Sequence, residues 1–317
     1  MKYLYYPGCS LEGTAKEYHA SSVALMTALD AELLEIRDWT CCGASAAPAV
    51  SELLSHVLAA RNLALAEQMS REGGDGGPDI LVPCSACYLN LKTVGEKVKT
   101  DIGLREKINT VLKEEGLEFN NFLNVRHELD VLVRDFTADI ISDKVGHPLT
   151  GVLAAPYYGC QCLRPFIEFD DPEKPRSMEG LIRATGATVF EWNMGPACCG
   201  ASHMSTKPEV GMHLVGNILR QAKDADVILT VCPMCQMNLE AYQKKVGRAC
   251  DENFNISVVY LPQFLGMAMG VPETKTRLSL NLSITSEFKD KYRRLIDAPG
   301  ILMPESGGSL QKENGYV

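Results

Sequence analysis

The sequence predicts an α/β protein built as two pseudo-symmetric tandem domains, each a small, mostly parallel sheet flanked by helices. Three observations lead there. Short apolar runs alternate with segments of helical period, cysteine-bearing words occur twice in one order, and each word follows an apolar run. In the first half, residues 2–6, 33–36 and 80–82 read as strands. Between them, residues 14–29 and 51–69 read as helices. Leu54, Val57, Leu58, Arg61 and Leu65 share one face of the second, with the Arg61 stem packed along its edge and Ser51 as N-cap. Residues 73–78 form a Gly-rich surface turn. Residues 92–144 are charged, cysteine-free and mostly helical in pattern, with His127 packing on a helix beside Leu129 and Leu132. In the second half, strands are expected at 151–156, 188–190, 227–231 and 258–260, and helices at 178–185 and 209–223. After Val271 the repeat is exhausted. Residues 278–297 are expected to give a strand and a short helix, and 304–317 a loose tail. The domain boundaries follow as 1–148, 149–277 and a C-terminal extension, 278–317.

The chain has 317 residues, 12 of them cysteine, and a net charge of −9 with no basic block, which argues against nucleic-acid binding. No apolar run reaches the ~18 residues of a membrane span, and the start carries no signal-peptide pattern, so a cytoplasmic protein is expected. In a reducing compartment, so many cysteines point to metal ligation or catalysis before disulfides.

The cysteines reveal a duplication. Cys9, Cys41, Cys42, Cys84 and Cys87 read C, CC, CxxC; Cys160, Cys198, Cys199, Cys232 and Cys235 repeat the order. Tyr5-Tyr6-Pro7-Gly8-Cys9 answers Tyr157-Tyr158-Gly159-Cys160. Cys41-Cys42-Gly43-Ala44-Ser45 answers Cys198-Cys199-Gly200-Ala201-Ser202, and ILVPCSACYLNL answers ILTVCPMCQMNL.

A tetrahedral zinc site wants four ligands, commonly two CxxC pairs. Each half offers one such pair plus a doublet and a single, five sulfurs in all. Neighbouring side chains on an extended segment diverge, so a doublet suits a wide multi-metal group better than one ion. Zinc and disulfides remain open as alternatives to iron–sulfur. Gly43 and Gly200 would let backbone N–H groups approach the sulfurs, and Ser45, Ser85 and Ser202 are candidate donors to them.

On these words the chain resembles the CCG-domain family, and over about residues 1–270 it is similar to the B subunits of heterodisulfide reductases. The resemblance implies two non-cubane [4Fe-4S] clusters. One would be held by Cys9, Cys41, Cys42, Cys84 and Cys87, the other by Cys160, Cys198, Cys199, Cys232 and Cys235. It further implies reductive cleavage of a small disulfide, such as that of coenzymes M and B, between the clusters. The implied partners are a flavin-containing A-like subunit and a small ferredoxin-like C subunit. Two one-electron centres would match the two electrons that an S–S bond requires. His203 and His19, each near a ligand in sequence, are the candidate catalytic proton donors. Lys16, Arg164 and Lys207 are candidate contacts for an anionic substrate. Cys162 either substitutes for Cys160 or lies beside the cluster, and Cys250 is expected as a free thiol. The rival function is a non-catalytic electron relay in a larger oxidoreductase; a zinc-stabilised interaction module is a third. No GxGxxG or Walker loop is present, so no nucleotide or flavin is expected on this chain.

Overall fold

The computed structural model describes residues 1–44, 46–73 and 78–297; Ser45, most of the Gly-rich turn and the tail at 304–317 lie outside the described residues. Two four-stranded, all-parallel sheets of identical topology make up the frame. The first has the order β2-β1-β3-β4, from β1 Lys2–Tyr5, β2 Glu32–Glu35, β3 Ile80–Val82 and β4 Val125–His127. The second has the order β6-β5-β7-β8, from β5 Leu153–Tyr157, β6 Thr188–Val189, β7 Val227–Thr230 and β8 Ser257–Tyr260. Registers match as well: Val82 lies opposite His127, and Thr230 opposite Tyr260. Parallel strands need crossover helices, and these are supplied by Lys16–Ala28, Glu52–Glu72 and Ser85–Thr100 in the first half, and by Ser177–Ala184, Pro208–Gln221 and Pro233–Ala241 in the second.

β4 is the main departure from expectation. It falls inside the segment read as helical, and His127 ends this strand instead of lying on a helix. Val125 and His127 are buried while Arg126 turns outward to Asp130 and Asp135, a period-two pattern only three residues long. The helix Glu128–Arg134 follows at once, and its apolar residues mask the strand. Helix Glu52–Glu72 also presents a different face. Ala59, Ala60, Leu63, Ala66 and Glu67 are buried, whereas Leu54 is exposed. Small side chains let this helix lie close to the sheet, and buried polar groups serve its neighbours. Asn62 holds Thr40 from both sides, and Glu67 accepts from the N–H groups of Asn120 and Phe122. Arg61 is half-buried and paired with Asp38 and Glu115, and Ser51 caps the helix through Leu54 N, as expected.

The strand expected after residue 278 is replaced by a turn at Leu278–Leu280 and a stretch along the edge of β8. There Ser283 O accepts from Val258 N, and Thr285 pairs with Ser257; the helix Ser286–Asp297 follows. The larger core joins the halves, uniting Leu81, Val82 and Leu129 with Val259, Tyr260 and Phe264. A second core lies around Val215, Ile218, Leu239 and Val258.

Candidate metal centre

Every cysteine word sits just beyond the C-terminal end of a strand. Cys9 follows β1, the Cys41–Cys42 doublet follows β2, and Cys84 and Cys87 open the helix after β3. The second half repeats this after β5, β6 and β7. Because all strands run parallel, these ends share one edge of each sheet. The chain leaves β1 for β2 on one side and returns to β3 on the other, so the words meet at the topological switch point where open α/β sheets bind ligands.

Cys9 Sγ lies 3.5 Å from Cys41 Sγ, and Cys42 Sγ lies 3.4 Å from Cys87 Sγ. The second half brings Cys160 against Cys198, and Cys199 and Cys232 against Cys235. These separations exceed the ~2.05 Å of an S–S bond, and all twelve cysteines are free thiols. Among the described residues no group of three or more His, Cys, Asp or Glu side chains is arranged around a single ion. Hydrogen bonds from neighbouring thiols pull Cys42 down to about 3 and Cys198 to about 6; Gly200 N–H, His203 and Arg164 add to the effect at Cys198. Cys42, Cys84, Cys87, Cys199, Cys232 and Cys235 are buried, while Cys9, Cys41 and Cys198 are exposed and Cys160 is half-buried. Each set therefore has a protein-enclosed floor and an open rim.

Backbone donors approach as the glycines suggested. Gly43 N–H points to Cys41 Sγ at 3.4 Å, Gly200 N–H to Cys198 Sγ at 3.3 Å, and Ala201 N–H to Cys199 Sγ at 3.4 Å. Three further duplicated features carry no signal that sequence reasoning picks up, although their letters repeat. Gly8 and Gly159 adopt positive φ, and a Cβ on either would stand 2.8 Å from Cys87 Sγ or 2.9 Å from Cys235 Sγ. The shared asparagine of the CxxC words ties that helix to the doublet: Asn90 donates to Cys42 O, and Asn238 to Cys199 O at 3.0 Å. Tyr6 OH donates to Thr40 O and Tyr157 OH to Ala197 O, both at 2.7 Å, bracing the residue before each doublet. The structural counterpart of Tyr157 is thus Tyr6, one place along from the match of the letters.

The other candidates are scattered. His203 is exposed on the short helix after the second doublet, and its charge reaches Cys198. His19 Nδ1 meets Tyr5 OH at 3.2 Å and lines a cavity with Lys16 and Arg277. Arg164 donates to Pro172 O and Pro196 O, and Lys207 is exposed. Ser202 is exposed, whereas the Ser85 hydroxyl donates to Val231 O, not to a ligand sulfur. Cys162 is buried, donates to Tyr158 O at 3.2 Å, and is pushed up to about 12 by burial, so it stays a protonated thiol. Cys250 packs beside Gly216, apart from the words. Unforeseen is a meeting of the halves: the Cys84 and Cys232 thiols face each other. The residues fit a thiolate-held multi-iron group. Five soft cysteine sulfurs come from three segments in each half, backbone N–H groups aim at sulfur, and side-chain-free glycines leave the sulfurs their room.

Comparison with known proteins agrees with this arrangement. The CCG cysteine-rich domain matches residues 3–92 and 154–240. The chain is 32% identical to the 8-methylmenaquinol:fumarate reductase membrane anchor subunit of Wolinella succinogenes, over 89% of this chain and 96% of that one. It is 28% identical to a protein of Archaeoglobus profundus described as like the B subunit of heterodisulfide reductase, over 87% and 93% of the two chains. It is also 28% identical to the B subunit of the ferredoxin:CoB-CoM heterodisulfide reductase of Methanosarcina mazei, over 84% and 90%. Among solved structures, a hypothetical protein from Helicobacter pylori shares the fold, with a TM-score of 0.68 at 13% identity over 90% of this chain. This chain spans about half, 52%, of that one. No helix among the described residues is long and apolar enough to cross a membrane.

Proposed function

The chain belongs to the CCG cysteine-rich domain family, with heterodisulfide reductase B subunits among its relatives, and from that premise we propose that it is the iron–sulfur subunit of a disulfide-reducing complex. The observation that carries this is the twofold convergence of five cysteines at equivalent strand ends, with exposed sulfurs on each rim. Cys9, Cys41, Cys42, Cys84 and Cys87 would hold one [4Fe-4S] cluster of non-cubane type, and Cys160, Cys198, Cys199, Cys232 and Cys235 the other. When bound, such clusters supply single electrons, two of which reduce one S–S bond.

The chain's own residues do the rest. The Gly43 and Gly200 N–H groups stabilise negative charge on ligand sulfur. A cleft of about 590 Å³ opens beside Cys9 and Cys41, with Glu12, Arg37, Asp38 and Trp39 on its walls, a size that suits a small molecule. His203 is placed to hold a proton beside Cys198 for a departing thiol, and His19 holds one at its ring beside Tyr5. A flavin-containing subunit and a ferredoxin-like subunit would deliver the electrons. The domain limits 1–148 and 149–277 then bound one centre each.

The similarity to a fumarate reductase subunit favours a second reading, an electron relay inside a larger oxidoreductase. The test is to purify the chain anaerobically, measure iron and sulfide, then reduce it and add small disulfides. Iron and sulfide for two centres, with thiol release or a new paramagnetic adduct, supports the reductase. Two centres inert to every disulfide support the relay, and zinc alone overturns both.

A further inference from the structure

Beside the meeting point of Cys84 and Cys232 runs a hydrogen-bonded chain that starts inside the first CxxC word and ends in the other half. Both thiols are nearly inaccessible, at 3% and 2% exposure, so they meet inside the protein and not across a solvent gap. The residue after Cys84 is Ser85, and the residue before Cys232 is Val231. Ser85 Oγ donates to Val231 O at 3.1 Å and sits 3.1 Å from His127 Nε2. The direction of this chain is determined. Leu129 N–H donates to His127 Nδ1 at 3.1 Å, so Nδ1 is the bare nitrogen and Nε2 carries the proton. Nε2–H therefore donates to Ser85 Oγ, and the hydroxyl in turn donates to the Val231 carbonyl in the other half, with the Cys162 sulfur also beside it. Burial lowers His127 to about 4, so it stays neutral and this polarity persists at physiological pH. Tyr88 stands edge-on to the imidazole and Phe169 stacks on it, fixing the ring.

A second tie acts on the residue before Cys84. Tyr18 OH donates to Pro83 O at 3.0 Å, while its ring stacks on Tyr260 with centroids 4.0 Å apart. His127 and Tyr260 occupy the same register position at the ends of β4 and β8. The duplication thus placed a junction residue at the same point twice, and the two copies diverged in chemistry. At the place of Ser85 the second half has Pro233, with no hydroxyl, so the hydrogen-bonded strap exists on one side only.

We propose that Ser85, oriented by His127, is a positioning residue that locks the Cys84 turn onto the Cys232 turn and so sets the coupling between the two sulfur sets. This rests on the two-centre reading above. The test uses the full-length, anaerobically purified protein, in four forms: wild type, Ser85→Ala, His127→Met and His127→Gln. Gln can donate to Ser85 as the imidazole does, whereas Met fills the space without a donor. Iron and sulfide per chain are measured first, then the magnetic interaction between the reduced centres by electron paramagnetic resonance. The expected result is wild-type iron in all four, with the interaction weakened or lost in Ser85→Ala and His127→Met and restored in His127→Gln. Should Ser85→Ala fail to fold, the Met and Gln variants make the same comparison. Equal interaction in the Gln and Met variants, or an unchanged one in Ser85→Ala, overturns the strap alone. A wild-type protein without two interacting centres overturns the reading beneath it.

Discussion

A sulfur ligand is only as well placed as the atoms that leave it room. Gly8 shows this: its φ is +74° and its missing Cβ is the space beside Cys87 Sγ. Gly8→Ala forces a side chain into an extended positive-φ region open essentially to glycine alone (ψ 162°), a strain of about 1–3 kcal/mol, and adds a clash with that sulfur. The expected outcome is loss of most iron from the first half with the second half intact, read by iron analysis and by spectra that separate the two centres. Gly159→Ala should give the mirror result. Cys199 is buried and accepts from Ala201 N–H, so Cys199→Ala removes a proposed ligand from the enclosed floor of the second set. It should cost that centre its metal and leave about half the iron per chain. Much of this was legible in the letters, since the doublets and CxxC pairs occur twice. The roles of Gly8 and Asn90 were not, because a positive φ or a side chain reaching a distant carbonyl has no local signature until the loops are brought together.

Between strand and helix, the boundaries were legible wherever a segment was long or strongly apolar. β3 and the Ser51 cap stand where the residues place them. β4 was hidden because three residues are too few for an alternation to show against the helix that follows. The polar side chains buried on helix Glu52–Glu72 were hidden because their partners, Thr40 and Asn120, are remote in sequence. The helix after β4 yields a prediction about pH. Glu128, fully enclosed, is raised to about 8 by burial, against which hydrogen bonds from Ser22 and Tyr18 act. Its folded pKa exceeds the unfolded one near ~4.3, so the folded state favours the protonated form. Stability from this group is complete below ~4.3 and is lost as pH rises through about 8, by up to ~1.4 kcal/mol per pH unit. Glu240, raised to about 7 by burial, acts with the same sign. His127 acts oppositely, since its lowered pKa costs stability as pH falls from ~6.5 through about 4. Thermal midpoints should therefore fall between pH 6 and pH 8, and Glu128→Gln should flatten the decline. An identical slope in the variant would refute the assignment.

Across the whole molecule, one core runs through both halves, and the Tyr18–Tyr260 stack lies at their junction. The two halves should then melt in a single transition. Tyr18→Leu gives up the stack and the bond to Pro83 O, at a cost of about 2 kcal/mol. A lowered but still single transition in calorimetry is the expected outcome; two separate peaks in the wild type would contradict a shared core. The open rim has a chemical corollary. An electrophile such as iodoacetamide, given to the metal-stripped chain, should alkylate Cys198 first, since it is exposed and its thiol is lowered to about 6, and reach the buried Cys84 last. Damage by oxidants would follow the same route, from the periphery inward. A repair system would then meet a centre that has lost its outermost sulfurs while its foundation is still standing.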